Sequence, residues 1–334
     1  MWATGLRVYR NEQRLCLRLL SSRGGRLLPA LNDSMKATAQ PLSQPLTAEK
    51  SWVAVYADLF KARLTVLVLL TTLVGFYLGF RGPVSYMLMW HTLLGTALLA
   101  AGASALNQLL ERDYDAKMRR TQDRPLPSGR LQPETVLLIG AASAAFGLIY
   151  LALAVNLITS VIGACCLVSY VFIYTPLKRV TWLNTAIGAV PGALPPLMGW
   201  TAARGELSGE GWALFAILAF WQLPHFLAIA WIYREEYARA GFKMLPVIDP
   251  QGHRTGRQAV SHTLGLLPVS LAPFLFNLTG PIYLVGALIL GFIFLWFAIQ
   301  FSRHLTVPRA RQLFYVSILY LPLLLVLMVL DKVK

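Results

Sequence analysis

Nine apolar stretches dominate this chain, each long enough for a helix to cross about 30 Å of hydrocarbon at about 1.5 Å per residue. They lie near 64–80, 86–106, 136–154, 157–174, 184–203, 211–231, 263–280, 282–301 and 313–330 of the 334 residues. Only 13% of the chain is charged, about half the roughly 25% of a soluble domain. An ordinary water-soluble enzyme is excluded, and a mean hydropathy of +0.57 excludes intrinsic disorder. The expected fold class is all-α: an integral membrane protein of nine transmembrane helices. Polarity at Asn156 and the Gly280-Pro281 pair predict tight hairpins between successive spans.

The distribution of charge supports this count. With alternate loops on alternate sides, all but four of the 30 Lys and Arg fall on one side, the exceptions being Arg81, Arg204, Lys332 and Lys334. The N-terminus and the long loops are therefore expected in the cytoplasm or its topological equivalent. A net charge of +15 then reads as membrane orientation, and no nucleic-acid partner is expected. Cys16, Cys165 and Cys166 form no CxxC pair and read as packing residues.

Residues 1–55 are expected to be a basic, largely disordered leader ahead of a transmembrane domain at 56–334. Arg7, Arg10, Arg14, Arg18, Arg23 and Arg26, with Glu12 as the only acid before Asp33, are compatible with a mitochondrial transit peptide. A bacterial cytoplasmic leader is the favoured alternative, placing the protein in a bacterial inner membrane.

Chemistry concentrates after the second span. If its helix continues, Asn107, Glu111 and Asp115 recur every four residues and project from one face. Such oxygen donors suit Mg²⁺, which takes one or two carboxylates and completes its octahedron with water and substrate phosphate. Arg119, Arg120 and Arg124 follow, placed to contact an anion held by that metal. The alternative is a solvated helix end. Against it, five of the 15 acids of the chain (Glu111, Asp113, Asp115, Asp123 and Glu134) share this loop. A second cluster, Glu235 and Glu236 with Arg234, Arg239 and Lys243, follows the sixth span on the same expected side. Two facing acidic helix ends would hold two Mg²⁺ ions around a diphosphate, with Lys and Arg neutralising the remainder. Lys178 and Arg179 end the fourth span between them; diphosphate, another anionic substrate group or lipid headgroups are all compatible partners for this pair.

The first cluster resembles the aspartate-rich motif of the UbiA superfamily of intramembrane prenyltransferases, in which Asn and two Asp are spaced by three residues ahead of Arg-Thr and Arg-Pro-Leu-Pro-Ser-Gly. Here Asn107, Asp115, Arg120-Thr121 and Arg124 to Gly129 match, and Glu111 replaces the first Asp. Within the superfamily the resemblance is to the haem-farnesylating branch. It is carried by Asp113-x-Asp115, Tyr174 to Arg179, Gly192 to Trp200, Pro224-His225-Phe226, and Glu236-Tyr237, where Asp-Tyr is usual. It runs from about residue 58 to 330.

The resemblance implies nine helices around a central cavity, Mg²⁺ as cofactor, and farnesyl diphosphate and haem b as substrates, the haem not being a permanent cofactor. Membrane lipid surrounds the chain, and a haem A synthase or oxidase assembly proteins are implied partners. The implied metal residues are Asn107, Glu111, Asp115, Glu235 and Glu236. Arg119, Arg120, Arg124, Lys178, Arg179 and Lys243 would bind diphosphate, and Asn107, Asp115, Lys178 and His225 would act in catalysis. His225 lies inside a span, where an ionisable residue is costly. It either contacts haem or aids the proton and water step, or it bonds a carbonyl freed by Pro224. Pro191, Pro195 and Pro196 are expected to kink or break the fifth span, and Trp90, Trp182, Trp200 and Trp212 to form an interfacial belt. Other open readings are a prenyltransferase for an aromatic quinone precursor and a polytopic transporter, although transporters often gather ionisable residues at the midplane.

Overall fold

The computed structural model describes residues 50–333; most of the expected leader lies outside them. Among the described residues the regular structure is helical, with one isolated bridge between Thr279 and Lys332. A short helix α1, Trp52–Leu59, precedes α2, Ala62–Gly79, and α3, Tyr86–Asp115. Then come α4, Pro133–Ala154, and α5, Leu157–Leu177, of which Ser169–Tyr174 is π-helical. The remainder is α6, Asn184–Arg204; α7, Gly209–Ile232; α8, Arg234–Ala240; α9, Leu245–Ile248; α10, His253–Leu275; α11, Pro281–His304; and α12, Val307–Leu330.

Helix starts follow local chemistry. Ser51, Ser85, Asn156 and Thr306 each accept an otherwise unpaired backbone N–H of the first turn. Pro281 opens α11, where its missing N–H costs nothing. The hairpins expected at Asn156 and Gly280-Pro281 are both present. Residues 52–55, placed with the leader, belong to α1, whose Val55 and Leu59 are buried.

Seven of the described helices, α2 to α5, α7, α11 and α12, are long and apolar enough to cross a membrane. The expectation of nine meets that measure in seven. The helices α6 and α10 have spanning length but not the composition. Most of α6 is buried, so it needs no lipid-facing surface, and α10 opens with His253, Arg254 and Arg257. Three prolines do not break α6, which runs unbroken through Pro191, Pro195 and Pro196. Two glycines explain its depth in the bundle. A Cβ on Gly199 would fall 1.9 Å from the Thr72 carbonyl oxygen, and one on Gly75 would fall 2.0 Å from that of Pro196. Only glycine lets α2 and α6 approach so closely.

The main core joins residues of α2, α6, α7, α10, α11 and α12; a second joins α3 to α6. Trp200, expected in an interfacial belt, is buried in the main core, whereas Trp90, Trp182 and Trp212 are exposed. Cys166 packs as expected, its thiol donating to the Pro191 carbonyl, while Cys165 is exposed. At one end of the bundle, Met118 packs with Ala230, Ala240, Phe242 and Met244, fastening the loop after α3 to the segment around α8.

Candidate active site

As the four-residue spacing predicts, α3 continues beyond its apolar stretch and ends at Asp115. Its polar face turns inward: Asn107 is 0%, Glu111 4% and Asp115 1% exposed. Buried carboxylates require partners, and each has one. Glu111 Oε1 lies 2.7 Å from Lys178 Nζ, and Asp115 Oδ2 lies 2.6 Å from Arg124 Nη1. The Thr121 hydroxyl donates to the Asp115 carbonyl oxygen, which folds the loop back so that Arg124 returns to the helix end.

Asn107 is held from both sides. Its Oδ1 accepts from Lys61 Nζ at 2.6 Å, and its Nδ2 donates to Thr175 Oγ1 at 2.9 Å. Lys61 also reaches the Tyr170 hydroxyl at 3.1 Å. Tyr170 and Thr175 owe their places to the π-helical turn of α5, in which Thr175 Oγ1 donates back to the Tyr170 carbonyl. Such turns insert one extra residue and recur at functional sites.

Glu111, Asp115 and Lys61 line a pocket of about 210 Å³ at one end of the bundle, whereas Asn107, Tyr170 and Thr175 stand behind its wall. Lys61, Arg120, Arg124 and Lys178 line it beside Glu111 and Asp115, and Tyr174, Tyr237 and Phe242 add aromatic rings. Phe226 and Ile229 of α7 form an apolar wall. Lys178 lies over the Tyr174 ring at 4.5 Å, and Arg120 over that of Tyr237 at 4.9 Å while donating to its hydroxyl. Four cations against two carboxylates make the wall a receptor for an anion.

Position decides the protonation of the two lysines. Burial, reinforced by nearby Arg124, pushes the Lys61 ammonium down to about 7. Burial acts against Lys178 too, but the Glu111 carboxylate outweighs it and holds the ammonium above the ordinary lysine range.

Of the remaining expected site residues, Arg119, Lys243 and Glu235 are exposed and do not line the pocket. Arg179 donates to the Leu110 carbonyl and lies 4.2 Å from the Tyr114 ring, likewise off the wall. Lys243 contributes main-chain groups: its N–H donates to the Lys178 carbonyl and its carbonyl accepts from Asn184. The second acidic cluster therefore does not present two carboxylates to the pocket. The turn at Tyr233 separates α7 from α8, and Tyr237, rather than Glu235 or Glu236, faces the wall. Glu236 retains one notable property: its Oε2 is buried and has no hydrogen-bond partner.

His225 does not bond a carbonyl freed by Pro224. It reaches across to α12 and pairs with Ser317 Oγ at 2.7 Å. Lys61 was missed as a site residue in the sequence. It reads as one more positive charge before the first span, because its partner Asn107 stands far along the chain.

Among the described residues, no three His, Cys, Asp or Glu side chains form a metal cage. The donors nevertheless fit Mg²⁺, which needs only one or two carboxylates beside substrate phosphate. Glu111 and Asp115 each commit one oxygen to a cation and keep a second, whereas Glu236 does not line the pocket.

The family model of the UbiA prenyltransferase family matches residues 68–323. A protoheme IX farnesyltransferase of Solibacter usitatus is 48% identical over 286 residues, covering 83% of this chain and 98% of that protein. A mitochondrial protoheme IX farnesyltransferase of Arabidopsis thaliana is 37% identical over 84% of this chain and 65% of its own. Among solved structures, one reported for a digeranylgeranylglyceryl phosphate synthase superposes with a TM-score of 0.72 at 14% identity, covering 84% of this chain and 98% of that one. A UbiA homologue of Archaeoglobus fulgidus bound to DMAPP and Mg²⁺ gives 0.58 at 18% identity, over 82% and 98%.

Proposed function

The chain belongs to the UbiA prenyltransferase family, and from that premise we propose that its rim pocket receives the diphosphate of farnesyl diphosphate and transfers the farnesyl group to a vinyl group of haem b, giving haem O. The observation that carries this reading is the pairing of Glu111 with Lys178 and of Asp115 with Arg124 across one cation-rich pocket. Each carboxylate is stored with a cation that a bound diphosphate would recruit.

Glu111 and Asp115 are the residues proposed to hold Mg²⁺, each through its second oxygen; Asn107, whose amide is engaged by Lys61 and Thr175, positions this face from behind the pocket wall. When bound, the metal supplies positive charge to the diphosphate and makes it a better leaving group. Lys178, Arg124 and Arg120 neutralise the charge that grows as the allylic carbon–oxygen bond breaks. Lys61 adds a fourth cation when protonated. Phe226 and Ile229 shield the allylic cation from bulk water. The vinyl group of the haem then attacks that carbon, and water adds to the resulting cation with loss of a proton. A volume of about 210 Å³ suits the diphosphate and its metal. It is below the roughly 300–1,000 Å³ of pockets enclosing drug-sized ligands, so tail and porphyrin extend from it between the helices.

The finer topology belongs to the same proposal. Nine helices cross the membrane, α6 and α10 included, with the pocket and N-terminus on the cytoplasmic side and residues 1–49 as a basic leader. The greater similarity to the bacterial relative supports a bacterial inner membrane rather than a mitochondrial one. Partners for the product are a haem A synthase or oxidase assembly proteins. A transporter is disfavoured because the buried acid–base pairs sit at one end of the bundle.

The test is haem extraction after expression in a host lacking its own haem farnesylation. Haem O appears with the wild-type chain and disappears with Asp115→Ala. Accumulation of a prenylated hydroxybenzoate instead would transfer the assignment to quinone chemistry.

A further inference from the structure

One ionisable side chain inside the membrane-spanning part has no role in diphosphate chemistry. His225 stands in the middle of α7, one helical turn, about 5 Å, from pocket-lining Ile229 and beside pocket-lining Phe226. Its ring is clamped between two others: Trp221 stacks at 5.0 Å and 23°, and Phe314 of α12 at 5.0 Å and 27°.

The hydrogen bonds fix which ring nitrogen carries the proton. Ser317 Oγ lies 2.6 Å from the Phe314 carbonyl, which can only accept, so the single serine proton is spent there. Ser317 Oγ must then accept at its other contact, and the donor at 2.7 Å is His225 Nδ1–H. Trp221 Nε1 donates to the Ser317 carbonyl at 2.7 Å, tying the clamp to the same residue. In the uncharged imidazole, the form an apolar span favours, Nε2 is then the unprotonated nitrogen. That atom makes no hydrogen bond and is not sealed inside the protein, because the ring is partly exposed. A bare lone pair in hydrocarbon has no water to satisfy it. An imidazole whose Nδ1–H is held by an oxygen, with Nε2 free, is the arrangement that presents histidine to a metal.

We infer that His225 Nε2 is an axial ligand to the iron of the haem substrate. The inference rests on the proposed haem reading. Coordination would anchor the porphyrin one turn beyond the apolar wall, with a vinyl edge toward the diphosphate pocket and Ser317 setting the orientation of the ligand.

Purified full-length protein in lipid nanodiscs is titrated with ferric haem b and followed by Soret absorbance and low-temperature EPR. The wild type should show a nitrogen-ligated iron. His225→Gln should lose that signature and bind haem at least about tenfold more weakly, with added imidazole restoring the ligand field. Ser317→Ala, which removes only the orienting acceptor, should weaken binding about tenfold while keeping the nitrogen ligand. A nitrogen-ligated spectrum unchanged in His225→Gln overturns the inference, as does a wild-type spectrum without a nitrogen ligand. If His225→Gln does not fold, unchanged affinity in Ser317→Ala also overturns it. Haem O formed by a wild type lacking the nitrogen ligand sinks the inference and leaves the function standing; no haem O from the wild type sinks the function.

Discussion

Two acidic segments end on the same side of the bundle, and only one aims its carboxylates into the pocket. In the first, Asn107, Glu111 and Asp115 ride one uninterrupted helix, so the face buried along the span stays buried to its end. In the second, the chain breaks at Tyr233, and a seven-residue helix begins on its own axis. That helix turns Tyr237 to the pocket and leaves Glu235 in solvent. A carboxylate reaches a membrane-edge site reliably when a long helix delivers it; after a break, composition does not specify direction.

The contrast ranks the consequences of mutation. Removing Asp115 or Glu111 as alanine should lower kcat for farnesyl diphosphate about 1,000-fold, since each loss also leaves a partly buried Arg124 or Lys178 unpaired; single-turnover diphosphate release measures it. Lys178→Met should cost about 100-fold in kcat by leaving charge on the departing diphosphate uncompensated.

Lys61→Met should raise KM about tenfold with a smaller change in kcat, and it should alter the pH profile. The free-protein ammonium titrates near 7, and a bound diphosphate raises that value. Binding therefore draws on a protonated Lys61 below 7 and must take up a proton above it. Affinity for a non-reacting diphosphate analogue should fall as pH rises from 7 toward 9 in the wild type and lose this component in Lys61→Met. An identical slope in both proteins removes Lys61 from the anion site.

The smallest effects test the second segment. Glu236→Gln and Glu235→Gln, both off the pocket lining, should each change activity less than about twofold. A loss of Mg²⁺ dependence of about tenfold or more in either would restore the second segment to full partnership.

Much of this was legible in the sequence, and the omissions have physical causes. Four-residue spacing on a continuing helix locates Asn107, Glu111 and Asp115, and spacing is a sound guide wherever the helix is unbroken. It could not orient Glu235 and Glu236 across the turn at Tyr233. Nor could it reveal Lys61, whose hydrogen bond to Asn107 bridges two helices. The stretch 184–203 was legible as a span, but its burial by neighbouring helices along most of its length was not. For the same reason Trp200, at the end of an apolar stretch, read as interfacial although it is 2% exposed.

The most direct examination of the metal assignment is EPR of Mn²⁺, in place of Mg²⁺, bound with an unreactive farnesyl thiodiphosphate. Phosphorus hyperfine coupling to the bound Mn²⁺ should be present in the wild type and in Glu235→Gln, and absent in Glu111→Gln and Asp115→Asn. Full coupling in both α3 variants would show that the metal and diphosphate are held elsewhere.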